Sequence, residues 1–229
     1  MGSLSRRSRE DARERMLERH LRARDIRDER VLAAMRRVPR ERFVDEGSQA
    51  HAYDDAPLPI GEGQAISQPY IVALMAQAAR IGLDDRVLEV GTGSGYAAAV
   101  LAELAGRVDS VERHASLARS AAARLAGLGY RRVEVHQGDG SLGWPGAAPF
   151  DAIVVAAAAP MLPPALRGQL EVGGRLVIPI GASPGGQRLY RITRRAVGPD
   201  QVEDLGEVVF VPLVGARGWW PGGQPLARH

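Results

Sequence analysis

The 229-residue sequence contains no cysteine. That removes disulfides, thiolate metal ligands and cysteine nucleophiles, and fits a reducing compartment. Apolar runs long enough to cross a bilayer are also missing: the stretch Ala152 to Ala159 is far too short and reads as a strand running into a loop. Met1 to His20 is rich in Arg and Glu and lacks the apolar segment of a secretory signal, so no membrane association is expected and the cytoplasm is the default location. There is little excess of one charge, since 30 Lys plus Arg stand against 27 Asp plus Glu for a net +3. Aromatics make up only 5% and interleave with neither the Arg6, Arg7, Arg9 cluster nor the Arg36, Arg37, Arg40, Arg42 cluster. Both clusters therefore read as solvated surface, and no nucleic-acid partner is expected. His51, His114 and His136 are too scattered to announce a metal centre and read as core or surface histidines. Ser94 lacks the flanking pattern and the readable triad of a serine hydrolase.

What is present suffices for one substantial core, with 45% hydrophobic side chains on a chain of single-domain length. Residues 10 to 37 read as two helical pieces, the second capped by Asp28 and stopped by Pro39. From Ala52 to Pro69 helical periodicity is lost among Pro57, Pro59, Gly61 and Gly63, which makes a candidate binding loop ahead of a helix from Gln68 to Ala79. A strand-to-helix rhythm follows. Strands are expected at Arg86 to Val90, Val108 to Glu112, Val133 to His136, Asp151 to Val155 and Arg175 to Ile180. Helices are expected near Tyr96 to Ala105, Leu117 to Leu128 and Leu162 to Leu170. This alternation predicts an α/β fold with a doubly wound, mostly parallel sheet and additional N-terminal helices. Arg188 to Thr193 and Val208 to Val214 are expected as two final strands at an antiparallel edge. In the tail, Trp219 and Trp220 read as packing residues, because little basic charge surrounds them.

The strongest local signal is the apolar strand Val87 to Val90 leading into Gly91-Thr92-Gly93-Ser94-Gly95, where glycines permit a tight turn and close ligand approach. A dinucleotide fingerprint would need glycine at position 96, which is Tyr96, so a nicotinamide cofactor is disfavoured. S-adenosyl-L-methionine carries no phosphate and has an ammonium that an acid such as Glu89 can neutralise. Glu112, at the end of the next strand, is placed to reach ribose hydroxyls. Asp139, between Gly138 and Gly140, is placed near the adenine edge. Each acid taken singly is also readable as an ordinary strand-end or turn residue. Together they follow successive strands, whose carboxyl ends converge on the usual crevice of an open α/β sheet.

With these pieces in place the sequence resembles the protein-L-isoaspartate O-methyltransferase family. The matching segments are Pro39 to Val44, Ala52 to Gly61, Gly63 to Pro69, the Gly91 turn, Gly138 to Gly140, Ala148 to Asp151, Gln169 to Leu170, Gly173 to Leu176, Ile178 to Pro179 and Phe210 to Leu213. They cover roughly residues 30 to 215. The resemblance implies a Rossmann-like S-adenosylmethionine-dependent methyltransferase fold that methylates the free α-carboxylate of L-isoaspartyl residues in damaged proteins and peptides and so initiates repair. It implies Ser67 as the active-site serine and Glu89, Gly91, Thr92, Gly93, Ser94, Gly95, Glu112, Asp139 and Gly140 as cofactor contacts. Ala65 departs from the Thr common in the family. A carboxylate is already ionised at neutral pH and needs no general base, so Ser67 is expected to orient the acceptor, helped by amides at the start of the following helix; capping that helix is its alternative role. Gln64 suits peptide hydrogen bonds, whereas Asp54 and Asp55 would repel a carboxylate. The expected division is residues 1–82 as an acceptor-loop region packed on the core, 83–215 as the methyltransferase core and 216–229 as a tail, in a monomer without a metal. The alternatives are a methyltransferase with another protein or small-molecule acceptor and a noncatalytic cofactor-binding protein.

Overall fold

The computed structural model describes residues 6–181 and 186–219. A seven-stranded sheet forms its centre, built from β3 (Arg86–Val90), β4 (Arg107–Glu112), β5 (Val133–Gln137), β6 (Phe150–Val155), β7 (Leu170–Ile180), β8 (Gln187–Thr193) and β9 (Gln201–Val208). The strand order is β5-β4-β3-β6-β7-β8-β9. The first five are mutually parallel, and β8 and β9 add an antiparallel edge. Sequence order reverses between β3 and β6, so a crevice opens beyond their carboxyl ends.

Alternation along the inner strands sends side chains to two apolar layers. Val87, Val108, Val154 and Val177 join one cluster, while Leu88, Val90, Val111, Ile153, Val155, Leu176 and Ile178 join the other. The first layer is closed by α1 (Arg6–Met16), α2 (Glu29–Arg37), α3 (Pro69–Ala79) and α4 (Tyr96–Ala102), which contribute Met16, Met35, Val72, Ala76 and Tyr96 to it. The N-terminal helices therefore complete the main core. Each fully buried Leu, Met or Val in that layer contributes roughly 1.5–3 kcal/mol. Asp28 caps α2 by accepting from the amides of Arg30 and Val31 at 2.9 and 3.4 Å. The expected break before α2 is a turn of π-helix, Leu17–Leu21, followed by a 3-10 turn ending at left-handed Asp25. On the opposite side lies α6 (Pro164–Gly168), with buried Leu166; α5 (Ala115–Gly127) joins β4 to β5.

Three expectations need correction. The loop Ala52 to Pro69 contains a β-hairpin, β1 (Leu58–Gly61) with β2 (Gln64–Ile66), turning through positive-φ Gly61, Glu62 and Gly63. The last strand is Gln201–Val208, overlapping the expected Val208 to Val214 at a single residue. It is an edge strand exposed at Gln201, Val202, Asp204 and Glu207, with a glycine at φ 109, Gly206, so its apolar periodicity is weak. Residues 209–214 instead run back over the sheet, where Pro212 forms an isolated bridge with Ala158. Finally, β7 begins at Leu170, because Gly173 and Gly174 bend the strand without ending it, and the helix before it is shortened to Pro164–Gly168.

Candidate active-site cleft

The carboxyl ends of β3, β4 and β6 open into a cleft with about 910 Å³ of empty space, continuous with solvent. Five separate segments line it: Gln64 to Ser67, Val90 to Ser94, Val111 to His114, Ala156 to Ala157 and Val211 to Val214, with Val72, Tyr96, Ala97 and Gly140 completing the wall. The floor is the glycine turn. Gly91 stands at φ 95 and Gly93 at φ 53, conformations that L side chains rarely adopt. The amide of Gly91 is held by the Val111 carbonyl at 2.9 Å and that of Gly95 by the Thr92 carbonyl at 2.8 Å.

Of the residues singled out in the sequence, Ser67, Gly91, Thr92, Gly93, Ser94, Glu112 and Gly140 line this cleft together, as does Gln64. Glu112 is nearly buried, and its two oxygens accept the amides of Gly93 and His114, each at 2.9 Å. Each carboxylate oxygen retains a further lone pair, which is the acceptor set that a pair of vicinal hydroxyls requires. Glu89 lies behind the wall. It is fully buried, one oxygen accepts from the Ser110 hydroxyl at 2.5 Å, and that hydroxyl contacts the Thr92 hydroxyl at 2.5 Å. Its other oxygen has no partner among the described residues. Burial, reinforced by the neighbouring Glu112 charge and opposed by the Ser110 hydrogen bond, pushes the Glu89 carboxyl up to about 8. A buried carboxyl with an unused oxygen beside a glycine turn fits a cationic ligand.

Gly95 and Asp139 are placed just outside the cleft lining. Gly95 precedes α4 at φ 90, with Leu125 and Ala121 packed where a side chain would go. Asp139 precedes Gly140 and is spoken for by the protein: Oδ1 accepts from the amide and hydroxyl of Ser141 at 2.9 and 2.6 Å, and Oδ2 accepts from the Ala216 amide at 2.7 Å.

At the acceptor side, Ser67 is half-buried and its hydroxyl makes no cap to α3, whose N-cap position is Gln68. The helix amides expected to assist it are largely committed. Pro69 has no N–H, and the Tyr70 amide points to Asp55 Oδ1 at 3.4 Å. Asp55 also pairs with Arg24 at 2.7 Å and Asp54 with His51 at 2.8 Å, so both acids are engaged away from an incoming carboxylate. The cleft lining also includes Arg113, which no sequence motif marks, His114, expected as an ordinary core or surface histidine, and residues 211–214, expected as part of an edge strand. The first two directly follow Glu112 at a strand's carboxyl end, the position where an open parallel sheet places binding residues. Topology also gathers Asp109, Glu134 and His136, three potential metal ligands, but Arg107 already bridges the two carboxylates. His136 stacks on Trp144 with ring centroids 4.1 Å apart.

Behind α4, Arg40 departs from the solvated surface expected for its cluster: it is fully buried, donating from Nε to the Ala52 carbonyl at 2.7 Å and lying 4.7 Å over the Tyr96 ring. Burial holds its guanidinium below the usual range. Trp219 is buried, and its indole donates to the Ala158 carbonyl at 2.9 Å, which bears out the packing reading. Trp220 lies outside the described residues.

Comparison with known proteins matches residues 11–218 to the family model described as Protein-L-isoaspartate(D-aspartate) O-methyltransferase. The match begins earlier than the segments legible in the sequence and takes in the N-terminal helices. Protein-L-isoaspartate O-methyltransferase 1 of Rhodopseudomonas palustris strain HaA2 is 58% identical over 207 residues, covering 90% of this chain and 84% of the relative. Protein-L-isoaspartate O-methyltransferase 2 of Pelobacter propionicus is 58% identical over 219 residues, covering 96% and 97%. Among solved structures, a protein-L-isoaspartate O-methyltransferase superposes with a TM-score of 0.80 at 27% identity, covering 90% of this chain and 67% of the other. A Plasmodium falciparum structure described as a β-aspartate methyltransferase in complex with S-adenosyl-L-homocysteine gives 0.73 at 25% identity, covering 89% and 96%.

Proposed function

The chain belongs to the protein-L-isoaspartate(D-aspartate) O-methyltransferase family, and from that membership we propose how its cleft divides the work of methyl transfer. The enzyme uses S-adenosyl-L-methionine to methylate L-isoaspartyl residues of damaged proteins, the first step of their repair. When bound, that cofactor supplies an electrophilic methyl on a sulfonium sulfur.

The cofactor side is the Gly91 to Gly95 turn with Glu112 and Gly140. Glu112 fixes the turn through the Gly93 amide and keeps lone pairs for the ribose hydroxyls. Glu89, behind the wall, acts on the cationic end of the ligand through its charge and the hydroxyl chain from Ser110 to the cleft-lining Thr92, not by direct contact. Asp139 acts one step back, holding the Gly140 peptide against the cleft. The Val211 to Val214 segment excludes water from the opposite wall.

The acceptor side is the hairpin and Ser67. The acceptor carboxylate is ionised at neutral pH, so what it needs from the protein is alignment and partial desolvation. Ser67 donates its hydroxyl to one carboxylate oxygen and leaves the other aimed at the methyl. The observation that carries this role is that Ser67 lines the same cleft as the glycine turn while the N-cap position of α3 belongs to Gln68. Gln64, on β2, is placed for the peptide backbone of the acceptor. The described residues up to 82 thus form the acceptor-side layer and those from 83 to 215 the cofactor core, while residues 216–219, expected as part of a tail, pack back onto that core. We read the working unit as a cytoplasmic monomer acting on proteins and peptides, with neither nucleic acid nor membrane as partner. Among the described residues no helix is long and apolar enough to cross a membrane.

The test uses matched peptides carrying L-isoaspartate, L-aspartate or asparagine with methyl-labelled cofactor. Only the isoaspartyl peptide should be labelled. Ser67→Ala should lower kcat/KM by about ten- to a hundredfold, the loss of one hydrogen bond to a charged group, while cofactor affinity holds. Unchanged turnover and peptide affinity in Ser67→Ala would remove the serine from the acceptor site.

A further inference from the structure

The sequence of this repair enzyme contains no asparagine, the residue whose deamidation is the readiest source of isoaspartate. Isoaspartate in the chain itself can therefore arise only from aspartate. Among its aspartates only Asp139 is followed by glycine, the neighbour that least hinders attack by its own amide nitrogen, because it has no Cβ. The chain's most vulnerable peptide bond thus lies beside its own cofactor cleft, between Asp139 and the cleft-lining Gly140.

Three features of the fold oppose the reaction there. Ring closure requires the Gly140 nitrogen to eclipse Cβ about the Cα–C bond of Asp139, and at ψ 101° it lies nearly opposite. Both carboxylate oxygens are held, by Ser141 on one side and the Ala216 amide on the other. The turn following residue 214 closes over them. The Arg217 amide donates to the Ser141 hydroxyl at 2.9 Å, and Gly215 sits so close that a Cβ there would stand 2.0 Å from Asp139 Oδ1. That turn is pinned by the buried Trp219, through Ala158 and the Leu213 carbonyl.

We propose that the Asp139–Gly140 bond is where this chain forms isoaspartate, and that the turn Gly215 to Trp219 is the clamp that holds the reaction back. Once the clamp opens, the Gly140 nitrogen attacks Cγ of the protonated Asp139 carboxyl. An N–Cγ bond forms and water leaves, carrying the carboxyl hydroxyl and the amide proton. Water then adds to the succinimide. Addition at Cγ restores aspartate; addition at the α-carbonyl routes the backbone through Cβ and Cγ and leaves a free α-carboxylate. That product displaces Gly140, where a Cβ would already fall 2.4 Å from Val90 Cγ1, so the damaged copy loses its cofactor wall. It also becomes a methyl acceptor for an intact copy.

The test ages wild type, Ser141→Ala and Trp219→Ala at neutral pH and digests them with a protease that cuts before aspartate but not before isoaspartate. A second portion is unfolded and offered to fresh wild-type enzyme with methyl-labelled cofactor, beside a synthetic isoaspartyl peptide. Cleavage before residue 139 should disappear about tenfold faster in both variants than in wild type, in proportion to the open population, and the label should fall in the peptide containing residue 139. The digest reads the damage without using enzyme activity, and the synthetic peptide reports separately on the methyl transfer. Should either variant fail to fold, wild type aged in urea takes its place: residue 139 should be the leading site, and Gly140→Val in the same urea should lower it about tenfold by crowding the attacking nitrogen. Equal ageing of wild type and folded variants, or a leading site other than 139 in urea, overturns the proposal.

Discussion

Replacing Glu89 by Gln should make the cofactor-free protein more stable at neutral and alkaline pH, by an amount that the burial of this carboxyl sets. Glu89 is fully buried, with one oxygen on Ser110 and the other without a partner. Burial raises it from the usual 4.5 to about 8. For an acid raised in the folded state, the native protein holds a proton that the unfolded chain gives up. Stability is therefore fully present below 4.5, falls as pH climbs, and levels off above about 8. At roughly 1.4 kcal/mol per tenfold change in proton affinity, wild type loses about 3 to 4 kcal/mol between pH 5 and 8 that Glu89→Gln does not lose. Gln is nearly isosteric with the protonated carboxyl and still accepts from Ser110, so packing is preserved. In a chain of this length the difference in Tm should widen by on the order of 10 °C across that window. Thermal unfolding of both proteins at several pH values checks this, each compared with the other so that remaining groups cancel. Parallel pH profiles would refute the reasoning, and a variant that gained stability toward acid would reverse its sign.

Three further changes have outcomes fixed by the geometry. Glu112→Ala frees the Gly93 and His114 amides and removes the acceptor proposed for the ribose; cofactor affinity measured calorimetrically should fall by at least about tenfold, from the loss of charge-assisted hydrogen bonds of roughly 1.5–3 kcal/mol each. Gly140→Ala places a methyl 2.4 Å from Val90 Cγ1, so denaturant unfolding should show a loss of about 1–3 kcal/mol, as overpacking costs. Asp28→Ala removes the cap of α2 and should cost about 1 kcal/mol, with cofactor affinity unchanged because α2 contributes no cleft wall.

The parts of the fold legible in the sequence are those where one physical cause dominates. The inner strands β3, β4, β6 and most of β7 are short Val- and Ile-rich segments buried on both faces, and the glycine turn after β3 has no competing explanation for its spacing. Asp28 and Pro39 mark the ends of α2 by chemistry that acts within a few residues. The hairpin β1–β2 was concealed by Pro57, Pro59 and two glycines, which signal turns whether or not short strands lie between them. Strand β9 was missed because an exposed edge needs no apolar alternation, whereas residues 209–214 carry Val, Phe and Leu for a different reason: they roof the cleft and fill the layer beside Ala158. Glu112 could be placed from its position at a strand end. The Ser141 contact of Asp139 is a local turn, two residues on, but the Ser110 contact of Glu89 and the capture of Asp139 by Ala216 depend on partners 21 and 77 residues away, distances over which local pattern carries no information.

The cleft wall is drawn from segments scattered between Gln64 and Val214, and this has a thermodynamic consequence. No fragment of the chain holds enough of the wall to bind the cofactor by itself, so binding energy is credited to the whole fold at once: the native state gains RT ln(1 + [L]/Kd) while partly folded forms gain nothing. A chain that has not finished folding, or has lost its last segment, is thereby silent as an enzyme. Activity reports the integrity of the entire molecule, a fitting property in a catalyst whose task is to find proteins that have lost theirs.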